Sequence, residues 1–313
     1  MCFFDVVVSI SCQLANANRK AWAVDIEALW SAFGLLPTHA DPLCTVLKKF
    51  VTPYDHADVR MYLLRKVVPD KRCKSLHTFA TLGWLSALRW AHANDFPKDT
   101  MVCACAAKGG YSKVLRWARA NGFPWDGWTC AHAAMNGHLD VLEWARANGC
   151  DWDERTCAYA AMEGHLDVLR WARSNACPWD ARTCAYAASE GHTGVLKWAR
   201  ENGCPWDERA CVNAARNGHF EMLQWACANG CPLDSNACAL AAGNGHFEIL
   251  KWLRANLCPW DGWTCIFAAE NGHLDVLRWA LANNCEWDRG IAYSHAECNE
   301  HHNVTEWISQ HYP

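Results

Sequence analysis

The sequence predicts an all-α solenoid, a stack of antiparallel helix pairs, and three observations carry that prediction. Cys130, Cys157, Cys184, Cys211, Cys238 and Cys265 recur at a 27-residue step. Trp90, Trp117, Trp144, Trp171, Trp198, Trp225, Trp252 and Trp279 keep the same step. No segment of the repeat shows the period-2 alternation of a strand. A fixed period of this size describes an array in which each unit buries its face only against its neighbours.

Taken in chain order, residues 1–72 break the period. IEALWSAFGLL, DPLCTVLKKFV and HADVRMYLLRKVV each read as a short helix, punctuated by Pro37, Pro42, Pro53 and Pro69. Val59, Tyr62, Leu63 and Val67 make an apolar stripe. This N-terminal region is expected to be divergent repeats or a small helical module. The array, with its caps, is assigned to residues 73–313. A partial unit, roughly Leu76 to Asp99, keeps Leu88, Trp90 and Asn94. Seven complete units follow, centred on Cys103 through Cys265. In the last, degenerate unit Val304 and Trp307 align with Val276 and Trp279 after one inserted residue near Gly290. His302 and Thr305 replace leucines there, as suits a terminal cap whose outer face meets water.

Within a unit, Asp153 is placed to cap the helix ERTCAYAAMEG. That run is rich in Ala and free of Pro, so helix is its natural state. Cys157, Ala160 and Ala161 form a narrow stripe of small side chains that lets a neighbouring helix come close. Gly164 supplies a left-handed stop. His165 opens a second helix, LDVLRWARSN, whose core face is Val168, Leu169 and Ala172 with Trp171 beside it. Arg170 and Arg173 are expected to face water. Asn175 and Ala176 end that helix, and Pro178 prevents its continuation. Trp179 is expected to cover the seam, and Asp180 to cap the next unit.

The net charge of -4 gives no drive toward nucleic acid or an anionic membrane surface. No run of ~18 apolar residues exists to span a bilayer. The opening MCFFDVVVSI carries Asp5 and lacks a leading basic residue, which disfavours a signal peptide. The 20 cysteines fall mostly on two repeat positions, a first-helix slot and a loop slot (Cys150, Cys177, Cys204, Cys231, Cys258, Cys285). They read as small buried hydrophobes, and the chain as a reduced, cytoplasmic protein.

The string AAxxGHLDVLRWARxNGCPWD, carried from Ala160 to Asp180 with Ala176 in place of its second Gly, resembles the ankyrin repeat in its Ala pair, Gly-His turn, Val-Leu pair and second turn. The resemblance covers about residues 76 to 309. Arg155-Thr156-Cys157-Ala158 stands where the family has TPLH, and the unit is shorter than 33 residues. The missing residues fall between Asp180 and Thr183, where the family's β-hairpin finger projects, so fingers should be short or absent. The Trp- and Cys-rich short unit is similar in style to ankyrin-like arrays of algae, oomycetes and large DNA viruses. The resemblance implies a monomeric, non-catalytic scaffold that binds a protein partner, with no cofactor, no nucleic acid and no membrane. An F-box-like module in residues 1–72 would instead make the chain a substrate-recognition adaptor of a ubiquitin ligase, although no convincing Leu-Pro start is found there.

Where a partner would sit is read from differences between units. One first-helix position varies as Cys105, His132, Tyr159, Tyr186, Asn213, Leu240 and Phe267 between nearly fixed neighbours. An exposed row of this kind suits a binding surface, and drift at a tolerant surface position would produce the same pattern. The candidate contact residues are therefore His132, Tyr159, Tyr186, Asn213, Leu240 and Phe267. A second variable row reads Lys108, Met135, Met162, Ser189, Arg216, Gly243 and Glu270. The loop tryptophans (Trp125, Trp152, Trp179, Trp206, Trp260, Trp287) could stack bases, but Leu233 in the same slot fits an apolar packing role better. The Gly-His histidines are expected to hydrogen-bond between units. His295, Cys298, His301 and His302 have spacing suggestive of zinc, at a cap where polar residues are expected anyway. No nucleophile, P-loop or HExxH motif is present.

Overall fold

The computed structural model describes residues 74–312. The N-terminal helices expected within residues 1–72, and the adaptor reading that rests on them, lie outside the described residues. Eighteen helices and no strand occur among those residues. They form nine pairs: α1 (Lys74–Thr81) with α2 (Leu85–Ala93), α3 (Thr100–Lys108) with α4 (Ser112–Ala120), and α5 (Gly127–Met135) with α6 (Leu139–Ala147). Next come α7 (Glu154–Met162) with α8 (Leu166–Ser174), α9 (Ala181–Ser189) with α10 (Thr193–Glu201), and α11 (Glu208–Arg216) with α12 (Phe220–Ala228). The last are α13 (Ser235–Gly243) with α14 (Phe247–Ala255), α15 (Gly262–Glu270) with α16 (Leu274–Ala282), and α17 (Arg289–Cys298) with α18 (His302–His311).

The first helix of a unit starts at an aspartate. Asp99, Asp126, Asp153, Asp180, Asp207, Asp261 and Asp288 each accept an amide hydrogen of the first turn. Each such cap contributes about 1 kcal/mol. Asp234 keeps the extended cap conformation without that bond, and Asn236 donates to its carboxylate at 2.9 Å instead. The helix begins directly after the aspartate, so no hairpin finger is inserted between units. The second helix ends at an asparagine whose side chain donates to the carbonyl four residues back, as Asn175 does to Trp171 at 2.9 Å. The following residue is left-handed: Gly122, Gly149, Gly203 and Gly230 in half of the units, and Asp95 at φ 56, Ala176 at φ 63, Leu257 at φ 62 and Asn284 at φ 62 in the others.

Size decides which helices approach. Each first helix packs along the first helix of the next unit and against its own second helix. The buried side chains of α7 are Thr156, Cys157, Ala158, Ala160 and Ala161, a wider small-residue face than the expected stripe. Second helices carry Leu, Trp and Arg, and adjacent second helices do not pack as closely. Their core face matches expectation, with Val168, Leu169 and Ala172 buried. Burying a leucine such as Leu169 contributes roughly 1.5–3 kcal/mol. In the final pair Ile308 takes the place of the core alanine and is 1% exposed. Thr305, whose hydroxyl donates to the His302 carbonyl, is also largely buried.

Three kinds of contact join one unit to the next. The loop thiols donate to the carbonyl of the aspartate that caps the preceding unit, as Cys177 does to Asp153 at 3.5 Å and Cys258 to Asp234 at 3.2 Å. Phe96 and Phe123 fill that loop slot in the first units and are buried there. The Gly-His histidines sit on the preceding unit's turn glycine: a Cβ on Gly191 would lie 2.7 Å from the His219 ring. His219 and His246 also hydrogen-bond the previous unit's Ser189 and Arg216 carbonyls, each at 3.0 Å. The third contact corrects an expectation. Arg170 is exposed as expected and reaches the Trp198 ring at 5.7 Å, but Arg173 is half-buried: its guanidinium lies 4.1 Å from the Trp179 ring and bonds the Cys177 carbonyl. A guanidinium can stack its flat face on indole while its edge keeps water.

Candidate functional site

The candidate row lies along the middle of the first helices. His132, Tyr159, Tyr186, Asn213, Leu240 and Phe267 are all half-buried, where sequence reasoning expected an exposed row. The stacking of units explains the difference, because side chains of the row meet groups of the adjoining unit. The Tyr159 and Tyr186 rings are parallel within 5°, their centroids 6.3 Å apart. Trp128 extends this stack, 6.2 Å from Tyr159. The polar members bond across the same seam. Asn213 donates to the Ala185 carbonyl at 2.9 Å, and His132 bonds the equivalent carbonyl of Ala104. Burial pulls the His132 ring below the ordinary imidazole value, and the Ala104 bond opposes this. Its Nδ1 is buried with no partner.

One helical turn toward the N-terminus lies a row that sequence reasoning missed: Met101, Trp128, Arg155, Arg182, Arg209, Asn236, Trp263 and Ile291. With the expected rows it places, for example, Trp128, His132 and Met135 at i, i+4 and i+7, one helix face. The variability that marked the middle row marks this one as well, but beside an aspartate cap it reads as an ordinary solvated helix start. Met101, Trp263 and Ile291 are 38%, 50% and 42% exposed, three of the few large apolar side chains facing water among the described residues. The arginines between them are held in place. Arg155 pairs with Asp153 at 2.6 Å and lies 4.2 Å from the Trp128 ring centroid. Arg182 pairs with Asp180 and with Glu154 of the preceding unit, each at 2.8 Å. Arg209 pairs with Asp207 at 2.7 Å. Hydrogen bonds from these arginines hold Asp153 and Asp207 below the usual carboxylate value. The face is thus an aromatic and methionine patch on units two to four, a paired-arginine stretch, and a second apolar patch at Leu240, Trp263 and Phe267.

The other candidate groups are absorbed by packing. Loop and helix tryptophans meet edge to face, as Trp152 with Trp171 at 5.8 Å and Trp179 with Trp198 at 6.0 Å, so the loop ladder offers no open stacking platform. In the C-terminal set, His295 faces Glu270 at 3.3 Å. His301 lies against Gly272, and His302 and Cys298 are exposed. Among the described residues no three His, Cys, Asp or Glu side chains converge as metal ligands would. No described helix is long and apolar enough to cross a membrane.

Comparison with known proteins places this geometry. Family models for ankyrin repeats match residues 211–291 in a three-copy form, and residues 130–173 and 184–226 in a many-copy form. No curated protein matches the chain. Among solved structures, the crystal structure of the human ASB11 ankyrin repeat domain is similar at 17% identity and a TM-score of 0.41, over 50% of this chain and 84% of that chain. Ankyrin repeats, a class of repeat that mediates protein–protein interaction and is typically non-catalytic, are therefore recognised in the array over residues 130–173 and 184–291.

Proposed function

We propose that the array is a non-catalytic scaffold that binds a protein partner along the exposed faces of its first helices. The observation that carries this reading is the Trp128–Tyr159–Tyr186 stack. Large rings line a face flanked by the methionine and arginine positions of the two other rows, and they are stacked on one another before any partner arrives. Rigid aromatic side chains bury much area at low entropic cost, which is why they dominate binding hot spots. The thiols at core and loop slots, buried and donating to backbone carbonyls, support residence in a reducing compartment such as the cytoplasm.

The test compares the wild-type chain with the double variant Tyr159→Ser/Tyr186→Ser in affinity capture from a lysate of the source cell, followed by mass spectrometry. The two proteins should share helical content by circular dichroism and melt within a few degrees of each other. A stoichiometric protein held by the wild type and lost by the variant supports the reading. A partner retained equally by both moves the contact off this face.

A further inference from the structure

Cys227 stands on α12 at a slot that holds arginine in five other units: Arg119, Arg146, Arg173, Arg200 and Arg254. Each of those arginines covers the loop tryptophan that follows it, at 4.1 or 4.2 Å from its ring centroid. In the unit of Cys227 both members are gone, because Leu233 replaces the tryptophan. The change opens the second-helix side of the unit to a small side chain. Cys227 is half-buried, and its Sγ lies 3.7 Å from the Sγ of Cys211, which is fully buried on α11. Of the sixteen described cysteines fourteen are buried, Cys298 is exposed at a helix end, and Cys227 alone combines access with a buried thiol in contact.

We propose that Cys227 and Cys211 are an oxidant-responsive pair, in which hydrogen peroxide oxidises Cys227 and Cys211 closes an intra-unit disulfide. In the first step the Cys227 thiolate sulfur attacks one peroxide oxygen. The O–O bond breaks, hydroxide leaves, and Cys227 becomes a sulfenic acid. In the second step the sulfur of Cys211 attacks the Cys227 sulfur. The S–O bond breaks, and the departing hydroxide takes the Cys211 proton as water. Two thiols lose two electrons and two protons, and one peroxide is reduced to two waters.

The roles follow from position. The contact with the Cys211 thiol holds Cys227 below the usual thiol value against the opposing effect of burial, while the contacts with Cys227 and Cys231 and burial push Cys211 up. The half-exposed sulfur is therefore the first to become a thiolate, and the thiolate is the nucleophile. Cys231 also touches Cys211, but it is 6% exposed and donates to the Asp207 carbonyl at 3.4 Å, so peroxide reaches Cys227 first. The two sulfurs must close from 3.7 Å to bonding distance, about 2 Å. The pair bridges α11 and α12 and does not use the variable rows of the first helices, so it stands or falls independently of the partner-binding reading.

The test treats the full chain, carrying Cys2→Ser, Cys12→Ser, Cys44→Ser, Cys73→Ser and Cys298→Ser so that neither the thiols outside the described residues nor the exposed one competes, with increasing hydrogen peroxide. Remaining thiols are then alkylated under unfolding conditions, and the unreduced digest is mapped by mass spectrometry. The expected result is a Cys211–Cys227 cross-linked peptide, lighter by two hydrogens, formed before any other buried thiol is lost. In Cys227→Arg, which restores the arrangement of the neighbouring units, and in Cys227→Ser, Cys211 should stay alkylatable at every dose that cross-links the parent. A first cross-link that excludes Cys227, oxidation of Cys227 to the sulfinic acid with Cys211 still alkylatable, or loss of Cys211 in both variants would each overturn the proposal.

Discussion

Replacing Gly191 by alanine tests the way units are joined. Gly191 has φ +77, and an added Cβ would sit 2.7 Å from Cε1, 2.9 Å from Nδ1 and 3.1 Å from Nε2 of His219. That ring cannot swing aside freely, because its Nε2 is bonded to the Ser189 carbonyl at 3.0 Å. The cost has two parts. Forcing a non-glycine residue into the left-handed region costs roughly 1–2 kcal/mol, reduced by ~0.4–1 kcal/mol because alanine restricts the unfolded chain. Overpacking against the ring adds about 1–3 kcal/mol, and losing the ring's hydrogen bond about 1 kcal/mol more. Gly203, in the same unit, is the control. It has φ +81 with nothing within 4 Å of its would-be Cβ, and Ala176 and Leu257 fill the same slot in other units. Gly203→Ala should therefore cost about 1 kcal/mol or less, and Gly191→Ala about 2–5 kcal/mol. Urea unfolding followed by circular dichroism measures both on one chain. The added substitution His219→Ala should relieve the overpacking part in Gly191→Ala and leave Gly203→Ala unaffected. Equal costs for the two glycines would show that the histidine is no clasp between units.

Three further outcomes follow from the packing. Leu169→Ala, at a fully buried position, is expected to cost about 2–5 kcal/mol in the same unfolding assay, and an unchanged midpoint would contradict the core assignment. Leu257→Gly should raise stability by about 0.5–1 kcal/mol, because a side chain 88% exposed at φ 62 has a left-handed backbone cost and little burial to offset it; a fall in midpoint would refute this. Since burial lowers the folded-state value of His132, its neutral ring favours the fold at neutral pH, and that contribution is lost as pH falls below about 6.5. His132→Asn, the residue type at Asn213, should therefore gain on the wild type as the solution is acidified toward pH 5, and a difference independent of pH would remove the titrating role.

What the sequence revealed was whatever is local to one unit. Asp153 before an alanine-rich run, Gly164 at its end and Pro178 after the next helix each act through their own backbone, so period and propensity sufficed to place them. Contacts between units were harder. A fixed step says that residue n meets some residue about one period away, but not which atom. The Cys177 bond to the Asp153 carbonyl, the Arg173 cover on Trp179 and the seat of His219 on Gly191 therefore became visible only in three dimensions. The Tyr159–Tyr186 row was found by its variability. Its half-burial depends on how closely neighbouring first helices stand, which the identity of a single row does not encode. The arginine and tryptophan row at the helix starts was hidden because Asp153 beside Arg155 looks like ordinary capping and surface charge.

Every bond that crosses a seam spans about one step along the chain: 24 residues for the thiol bonds, 28 for Asn213 and 30 for the histidines. Among the described residues none reaches two units away. A gene for such a chain can lose or gain a whole unit by unequal exchange, and the new junction rebuilds the same set of bonds from the residues that now adjoin. Length can then drift through insertion and deletion while each seam remains intact. What such an event alters is the order of side chains along the first-helix face, so new combinations of His132, Tyr159, Asn213 and Phe267 can arise by shuffling intact units rather than by point mutation.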